Sequence, residues 1–159
     1  IEYEVSASGP GGTVTRKATV SIIEGSAAAG RISSEDLAEG VGEANFDNAV
    51  RPVFFGFDSY SLSDDAKLTL DGGIRWLNMS ENRHIKFVIE GHTDDRGTEE
   101  YNLALGDKRA LVVKDYMVAN GIDGSRIMTV SLGEERLFDT SGTEAGHALN
   151  RRAHFVIIH

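Results

Sequence analysis

The chain has 159 residues, of which 40% are hydrophobic, so it can form one ordinary domain with a substantial core, alone or with a small additional element. Its formal net charge of −9 disfavours nucleic acid or an anionic membrane surface as a partner, because both would repel it at long range. The sequence has no cysteine, which excludes disulfides and thiolate metal sites, and no apolar run approaches the roughly 20 residues that cross a bilayer.

Residues 1–24 predict a β-hairpin. The segments "EYEVSAS" and "TVTRKATVSI" alternate in the way that strands do, and "GPGG" between them is typical of a turn. Because an isolated two-stranded hairpin is only marginally stable in water, it must pack on the rest of the chain, pair with another copy or belong to a larger domain. We favour the last interpretation, since the pattern resembles the closing hairpin of an immunoglobulin-like module of the polycystic-kidney-disease-repeat type.

The next segment, "EGSAAAGRISSEDLAEGVGEA", is rich in glycine, alanine, serine and acidic residues and has few large apolar side chains. This composition is typical of a linker. We therefore predict a linker over residues 25–45 and a second domain over residues 46–159.

From Phe46 onward, strand and helix patterns alternate. "PVFFGF" predicts a strand, followed by a helix that begins after the N-cap residue Ser63 and runs to about Met79. "HIKFVIEG" predicts a half-buried strand, and a helix follows over Glu99–Asn120, with Gly121 as its C-terminal cap. "RIMTVSLG" and "RRAHFVIIH" predict two more strands, separated by a long polar loop with room for a helical turn. The order β-α-β-α-β-β indicates a mixed sheet with helices on one face.

The segment "GHTDDRGTEEYNLALGDKRA" (Gly91–Ala110) forms a polar loop between a strand and a helix, a common place for a binding site. Asp94 lies in the loop, and Arg109 lies on the helix beside its apolar stripe. A carboxylate and a guanidinium at separate positions can bind a ligand that carries both an ammonium and a carboxylate group. The alternative is an Asp94–Arg109 salt bridge that only pins the loop, and spacing alone slightly favours this alternative.

Four segments resemble, in the same order, the OmpA-like peptidoglycan-binding domain: "FFGFDSYSL", "IEGHTDDRGTEEYNLALGDKRALVVKDYM", "RIMTVSLGEE" and "NRRAHFVI". The resemblance covers about Pro52 to His159. It implies an α+β sandwich and non-covalent binding of peptidoglycan through the meso-diaminopimelate residue of the stem peptide. It also implies a periplasmic location at the outer membrane of a Gram-negative bacterium, where the domain anchors an outer-membrane or surface protein to the cell wall, with no catalysis and no cofactor.

The resemblance also implies which residues contact the ligand. Asp94 would bind the ammonium group of diaminopimelate, and Arg109 would bind the carboxylate on the same carbon. The further ligand-binding residues that the resemblance implies are Phe57, Asp58, Arg96, Asn102, Leu105 and Arg151. Gly56 and Ser59 depart from the family, which usually has Asp and Lys there, and this puts the charge of the pocket and its peptide preference in doubt.

Other functions remain as alternatives. The same fold could act as a protein-interaction or assembly module of the cell envelope, since similar proteins also engage a TolB-like periplasmic propeller protein. Peptidoglycan hydrolysis is disfavoured because the adjacent Asp94 and Asp95 are not expected to form an acid and base pair across a sugar. The histidines lack the spacing of a zinc motif, and we expect His92 to hold the loop by hydrogen bonding.

Overall fold

The computed structural model describes the backbone of residues 2–9, 12–19 and 34–159, and side chains from residue 42 onward. The chain divides into two compact units, residues 1–48 and 49–159. In the first unit, β1 (Glu2–Gly9) and β2 (Gly12–Thr19) pair antiparallel along their whole length. This is the hairpin expected from the sequence; the centre of its predicted turn and residues 20–24 lie outside the described residues.

The second half of the predicted linker is a helix, α1 (Ser34–Ala49). The part of the predicted linker from residue 34 onward is therefore helical, while residues 25–33 lie outside the described residues. Glycine and serine suggested a linker, but the same stretch also contains alanine, leucine and glutamate, which have high helix propensity. The proposed domain boundaries stay a prediction.

The second unit contains a four-stranded mixed sheet in the order β3-β6-β4-β5, formed by β3 (Val53–Phe54), β4 (Lys86–His92), β5 (Ile127–Gly133) and β6 (Arg152–Ile158). Strand β6 is antiparallel to both β3 and β4, whereas β4 and β5 are parallel. The predicted mixed sheet is confirmed. The first strand is shorter than predicted, because the chain leaves the sheet after Phe54.

Three helices follow the strands of this unit: α2 (Asp64–Leu77), α3 (Glu99–Ala119) and α4 (Glu144–Asn150). As predicted, Ser63 caps α2 by accepting a hydrogen bond from the backbone of Ala66 at 3.1 Å. Gly121 follows α3 with φ of +102°, a conformation that favours glycine. Helix α4 extends the helical turn expected in the polar loop. No helix among the described residues is long and apolar enough to cross a membrane.

The core lies between the sheet and its helices. Phe87 and Ile89 of β4 and Phe155 of β6 are fully or almost fully buried, as are Val113 and Met117 of α3. Burying one side chain of this size contributes about 1.5–3 kcal/mol. The alternation along the strands leaves the opposite sheet face more open, in agreement with helices on one face.

Helix α3 approaches β4 unusually closely at two glycines. A β-carbon added to Gly91 would overlap the backbone carbonyl of Gly106, and one added to Gly106 would overlap the Ser131 side chain. Only glycine permits this approach at both positions. Arg109 lies one turn further along α3, so the contact places its side chain next to the loop that follows β4.

Candidate ligand-binding site

A pocket of about 240 Å³ lies between the end of β4 and the start of α3. The structure brings together in its lining all eight side chains that the sequence suggested: Phe57, Asp58, Asp94, Arg96, Asn102, Leu105, Arg109 and Arg151. Thr93, Gly97 and Tyr101 also line it and were missed. The shared pocket supports the choice of residues, whereas their role as ligand contacts stays a prediction.

Arg109 forms the floor of the site and joins two segments of backbone through three carbonyls. Its Nε donates to the Ser59 carbonyl at 2.8 Å, its Nη1 to the His92 carbonyl at 2.9 Å and its Nη2 to the Gly56 carbonyl at 3.2 Å. Burial lowers the pKa of the guanidinium to about 10, while the nearby Asp94 carboxylate acts in the opposite direction. Arg109 is therefore protonated at neutral pH.

These hydrogen bonds explain why the loop tolerates the departures from the family at Gly56 and Ser59. Both residues hold Arg109 through main-chain carbonyls, which any residue type supplies. A β-carbon at Gly56 would meet only the Ser59 β-carbon, at an ordinary contact distance of 3.7 Å. The loop geometry therefore does not depend on the side chains usually found at these two positions.

Asp94 is 5% exposed and is held by two arginines. Its Oδ1 accepts from the backbone N–H of Arg96 at 3.1 Å, and its Oδ2 accepts from Arg96 Nη2 at 2.8 Å and from Arg151 Nη1 at 3.4 Å. Burial acts to raise the pKa of the carboxyl, but the hydrogen bonds from Arg96 and Arg151 outweigh it, so the pKa is lowered. Asp94 is therefore ionised at neutral pH.

Asp94 and Arg109 do not form the salt bridge that the sequence left open as an alternative. The donors of Arg109 go to backbone carbonyls, and the ion pairs of Asp94 go to Arg96 and Arg151. That alternative is wrong because three backbone carbonyls, and not the Asp94 carboxylate, accept the hydrogen bonds of Arg109. The two charges share the pocket without neutralising each other directly.

The first turn of α3 organises the other wall of the pocket. Asn102 is 2% exposed, and its Nδ2 donates to the carbonyls of Asp94 at 3.3 Å and Arg96 at 3.1 Å. In this structure Asn102 therefore supports the loop. Tyr101 donates to the carboxylate of Asp58, which has φ of +52°, and this bond raises the pKa of the tyrosine. Tyr101 directly precedes Asn102 in the sequence, and this position is the signal that would have indicated it.

Arg96 and Arg151 both line the pocket and both bind the Asp94 carboxylate. The Arg96 guanidinium lies 4.4 Å from the ring centroid of Phe57, an exposed cation–π contact. Arg151 is anchored by Nε, which donates to the Phe55 carbonyl at 2.9 Å. Both arginines also contact Glu144, a residue of α4 that the sequence did not indicate.

His92 does not hold the loop through its side chain, so the expected hydrogen bond is wrong. The side chain is 1% exposed, and neither ring nitrogen forms a hydrogen bond with the loop. Its Nε2 lies 3.5 Å from the Glu90 carboxylate, close enough to lower the pKa of Glu90. The contribution of His92 to the site is its backbone carbonyl, which binds Arg109.

The sequence and the fold match a known family. Residues 54–151 match the model of the OmpA family, and the chain belongs to this family. It is 40% identical to the peptidoglycan-associated lipoprotein of Haemophilus influenzae over 114 residues, which cover 72% of this chain and 73% of that protein. It is also 40% identical to the protein of the same name from Rhizobium meliloti over 129 residues, which cover 81% of this chain and 68% of that protein.

Solved structures give the same result. The peptidoglycan-associated lipoprotein of Burkholderia pseudomallei superposes with a TM-score of 0.64 at 40% identity, over 68% of this chain and 90% of that one. The C-terminal domain of Helicobacter pylori MotB superposes with a TM-score of 0.60 at 18% identity, over 69% of this chain and 85% of that one. The latter similarity shows the fold alone.

Proposed function

We propose that this chain binds peptidoglycan non-covalently and anchors a protein of the periplasm or outer membrane to the cell wall. Its membership of the OmpA family supports this, as do the names of relatives that are 40% identical. The proposal is for binding without catalysis, since the pocket presents charged groups held by hydrogen bonds and no activated nucleophile.

The ligand group in this proposal is the end of the diaminopimelate side chain, a carbon that carries both an ammonium and a carboxylate. The observation that carries it is that Asp94 and Arg109 share one pocket, are both ionised at neutral pH and do not pair with each other. Asp94 binds the ammonium and Arg109 the carboxylate. Each charge-assisted hydrogen bond contributes about 1.5–3 kcal/mol, which gives reversible binding that many copies on one polymer strengthen.

Binding requires a local opening. Arg109 borders the pocket, yet its exposed fraction is 0%, so a ligand carboxylate has no direct access to it in this arrangement. Asp58 and Tyr101 line the same pocket and interact electrostatically with Arg109. Separation of their hydrogen-bonded pair lets the ligand carboxylate replace Asp58 as the counter-charge of Arg109.

Co-sedimentation with purified cell walls tests this function. We expect the protein to sediment with wall that contains diaminopimelate and not with lysine-type wall, whose side chain lacks the terminal carboxylate. Asp94→Asn should lose sedimentation, whereas Asp115→Asn, which removes the same charge from an exposed position of α3, should retain it. Equal retention by both walls would contradict diaminopimelate recognition, and retention by neither would contradict peptidoglycan binding.

One observation favours an additional role in protein contacts. Phe57, Tyr60 and Tyr101 are 64%, 47% and 50% exposed, and Phe57 and Tyr101 line the pocket. Exposed aromatic side chains are common in protein interfaces. A TolB-like periplasmic protein is the partner we propose for this surface, and a pull-down with wild type and Phe57→Ser tests it, since the variant should bind less of the partner.

A further inference from the structure

The pocket carries more positive charge than its proposed ligand group requires. Its lining contains the arginines Arg96, Arg109 and Arg151 but only the two carboxylates of Asp58 and Asp94, although the whole chain has a net charge of −9. A zwitterionic ligand end occupies Asp94 and Arg109. Arg96 and Arg151 share the Asp94 carboxylate with that ligand end, and their guanidinium groups converge beside it.

Glu144, which does not line the pocket, already contacts both guanidinium groups. Its Oε1 lies 3.2 Å from Arg151 Nη1, and its Oε2 lies 3.6 Å from Arg96 Nη1. One carboxylate therefore spans the two arginines, as an external carboxylate would. The residue stands in the first turn of α4, directly after the N-cap Thr143, so the helix start fixes its position.

The two carboxylates at these arginines differ in how firmly they are held. Asp94 is 5% exposed and accepts a backbone N–H as well as side-chain donors, so the loop holds its carboxylate firmly in place. The Glu144 side chain is 69% exposed and, among the described residues, its contacts are the two ion pairs with the arginines. An exposed ion pair contributes little net free energy, so a ligand can displace Glu144.

We propose that Arg96 and Arg151 form a second carboxylate subsite, which Glu144 occupies until a ligand displaces it. The inference rests on the proposed function and makes it more specific. The preferred ligand is a stem peptide with a further free carboxylate near its zwitterionic end. Glu144 sets the affinity for that carboxylate as an internal competitor.

A purely structural role for Glu144 predicts the opposite effect. If Glu144 serves to orient Arg151, its removal weakens binding of every ligand that contacts this arginine. If it competes, its removal strengthens binding, and only for ligands that carry the second carboxylate. The sign of the change therefore separates the two roles.

Titration calorimetry with two peptides tests the inference. The first is L-alanyl-γ-D-glutamyl-meso-diaminopimelate, and the second is the same peptide with both carboxylates outside the zwitterionic end converted to amides. We expect wild type to bind the first more tightly. Glu144→Gln should bind the first peptide about two- to fivefold more tightly than wild type and the second unchanged. Asp64→Asn, which neutralises an exposed first-turn acid of α2, should change neither.

The outcomes separate this inference from the function on which it rests. If Glu144→Gln binds the first peptide no better than wild type, or gains equally for both peptides, the subsite is wrong while peptidoglycan binding stands. If wild type binds neither peptide, the proposed function and the subsite are both wrong. Thermal unfolding of Glu144→Gln checks that the variant is folded.

Discussion

Two buried arginines fasten opposite ends of β4, and they differ in what lies beside them. Arg126 donates to the carbonyls of Ile85 at 2.8 Å, Leu77 at 3.1 Å and Asn82 at 2.9 Å, next to the start of the strand. Arg109 donates to three carbonyls around the end of the strand, one of which belongs to His92. They are 8% and 0% exposed, and burial lowers the pKa of both.

The difference is in the surroundings of the two guanidinium groups. Arg109 lines a pocket with Asp94, and the loop next to it begins immediately after β4. Arg126 is not part of that lining. On the proposed function, Arg109 binds a ligand because it lines a pocket together with Asp94, whereas Arg126, which has the carboxylate of Asp123 nearby but lines no part of that pocket, is a structural group. Substitutions of the two arginines, of the carboxylates beside them and of the pair that closes the pocket test this comparison.

The largest effect is expected from replacing each arginine by lysine. Arg109→Lys and Arg126→Lys should each lower the free energy of unfolding by about 3 kcal/mol, because lysine cannot satisfy three converging carbonyls. Only Arg109→Lys should also abolish sedimentation with the cell wall, at a temperature where both variants are folded. Denaturant unfolding and co-sedimentation measure the two effects. Equal loss of wall binding in both variants would remove the distinction between the two ends of the strand.

The next effect concerns pH. An Asp titrates near 3.8 when unperturbed, and the folded protein lowers the pKa of Asp94, so its charge stabilises the fold above that pH. This contribution is lost as the pH falls through the lowered value in the folded state. We therefore expect wild type to exceed Asp94→Asn in stability above about pH 5, with the difference shrinking in acid.

Asp123 is the matching carboxylate beside Arg126. A hydrogen bond from the backbone of Ser125 lowers its pKa, but the residue is exposed. Asp123→Asn should show the same direction of pH dependence with a smaller amplitude, because solvent screens an exposed charge. Thermal unfolding at several pH values measures both variants. An acid-independent difference between wild type and Asp94→Asn would contradict the ionised, arginine-bound state of Asp94.

The smallest effect is expected from opening the pair that closes the pocket. Tyr101→Phe removes the hydrogen bond to Asp58, so the ligand no longer has to break it, and affinity for the diaminopimelate peptide should rise about twofold. Tyr116→Phe is the control, since Tyr116 donates to Asp71 at 2.6 Å and neither residue lines the pocket. Calorimetry measures both, and weaker binding by Tyr101→Phe would show that its hydroxyl contacts the ligand instead.

Local sequence signals predicted most of the second unit. The N-cap at Ser63, the cap at Gly121 and the alternation in β4 depend on short-range chemistry, and the structure confirms each of them. Helix α1 was missed because its glycine and serine residues indicate a linker, although the alanine, leucine and glutamate residues between them favour a helix. The residues that share the pocket were found through the family resemblance, which carries information on spatial proximity that spacing along the chain lacks.

The hydrogen-bond partners within the site could not be predicted. Arg109 is bound by the carbonyls of Gly56, Ser59 and His92, and a carbonyl is identical in every residue type, so the sequence carries no mark of it. Glu144 is far from Arg96 in sequence, and its role depends on where α4 begins. The sequence left open the alternative in which Asp94 pairs with Arg109 for the same reason, since the competing acceptors belong to the backbone.

The glycine contact between α3 and β4 has a consequence for how ligand choice can change. Because two hydrogen atoms stand where side chains would otherwise separate helix from strand, the base of the crevice has a fixed width. A larger residue there would act as a wedge and move Arg109 away from the carbonyls that hold it. Adaptation to a differently shaped wall peptide is therefore confined to the rim, where Phe57, Arg96 and Glu144 can vary without changing the contact between Gly91 and Gly106.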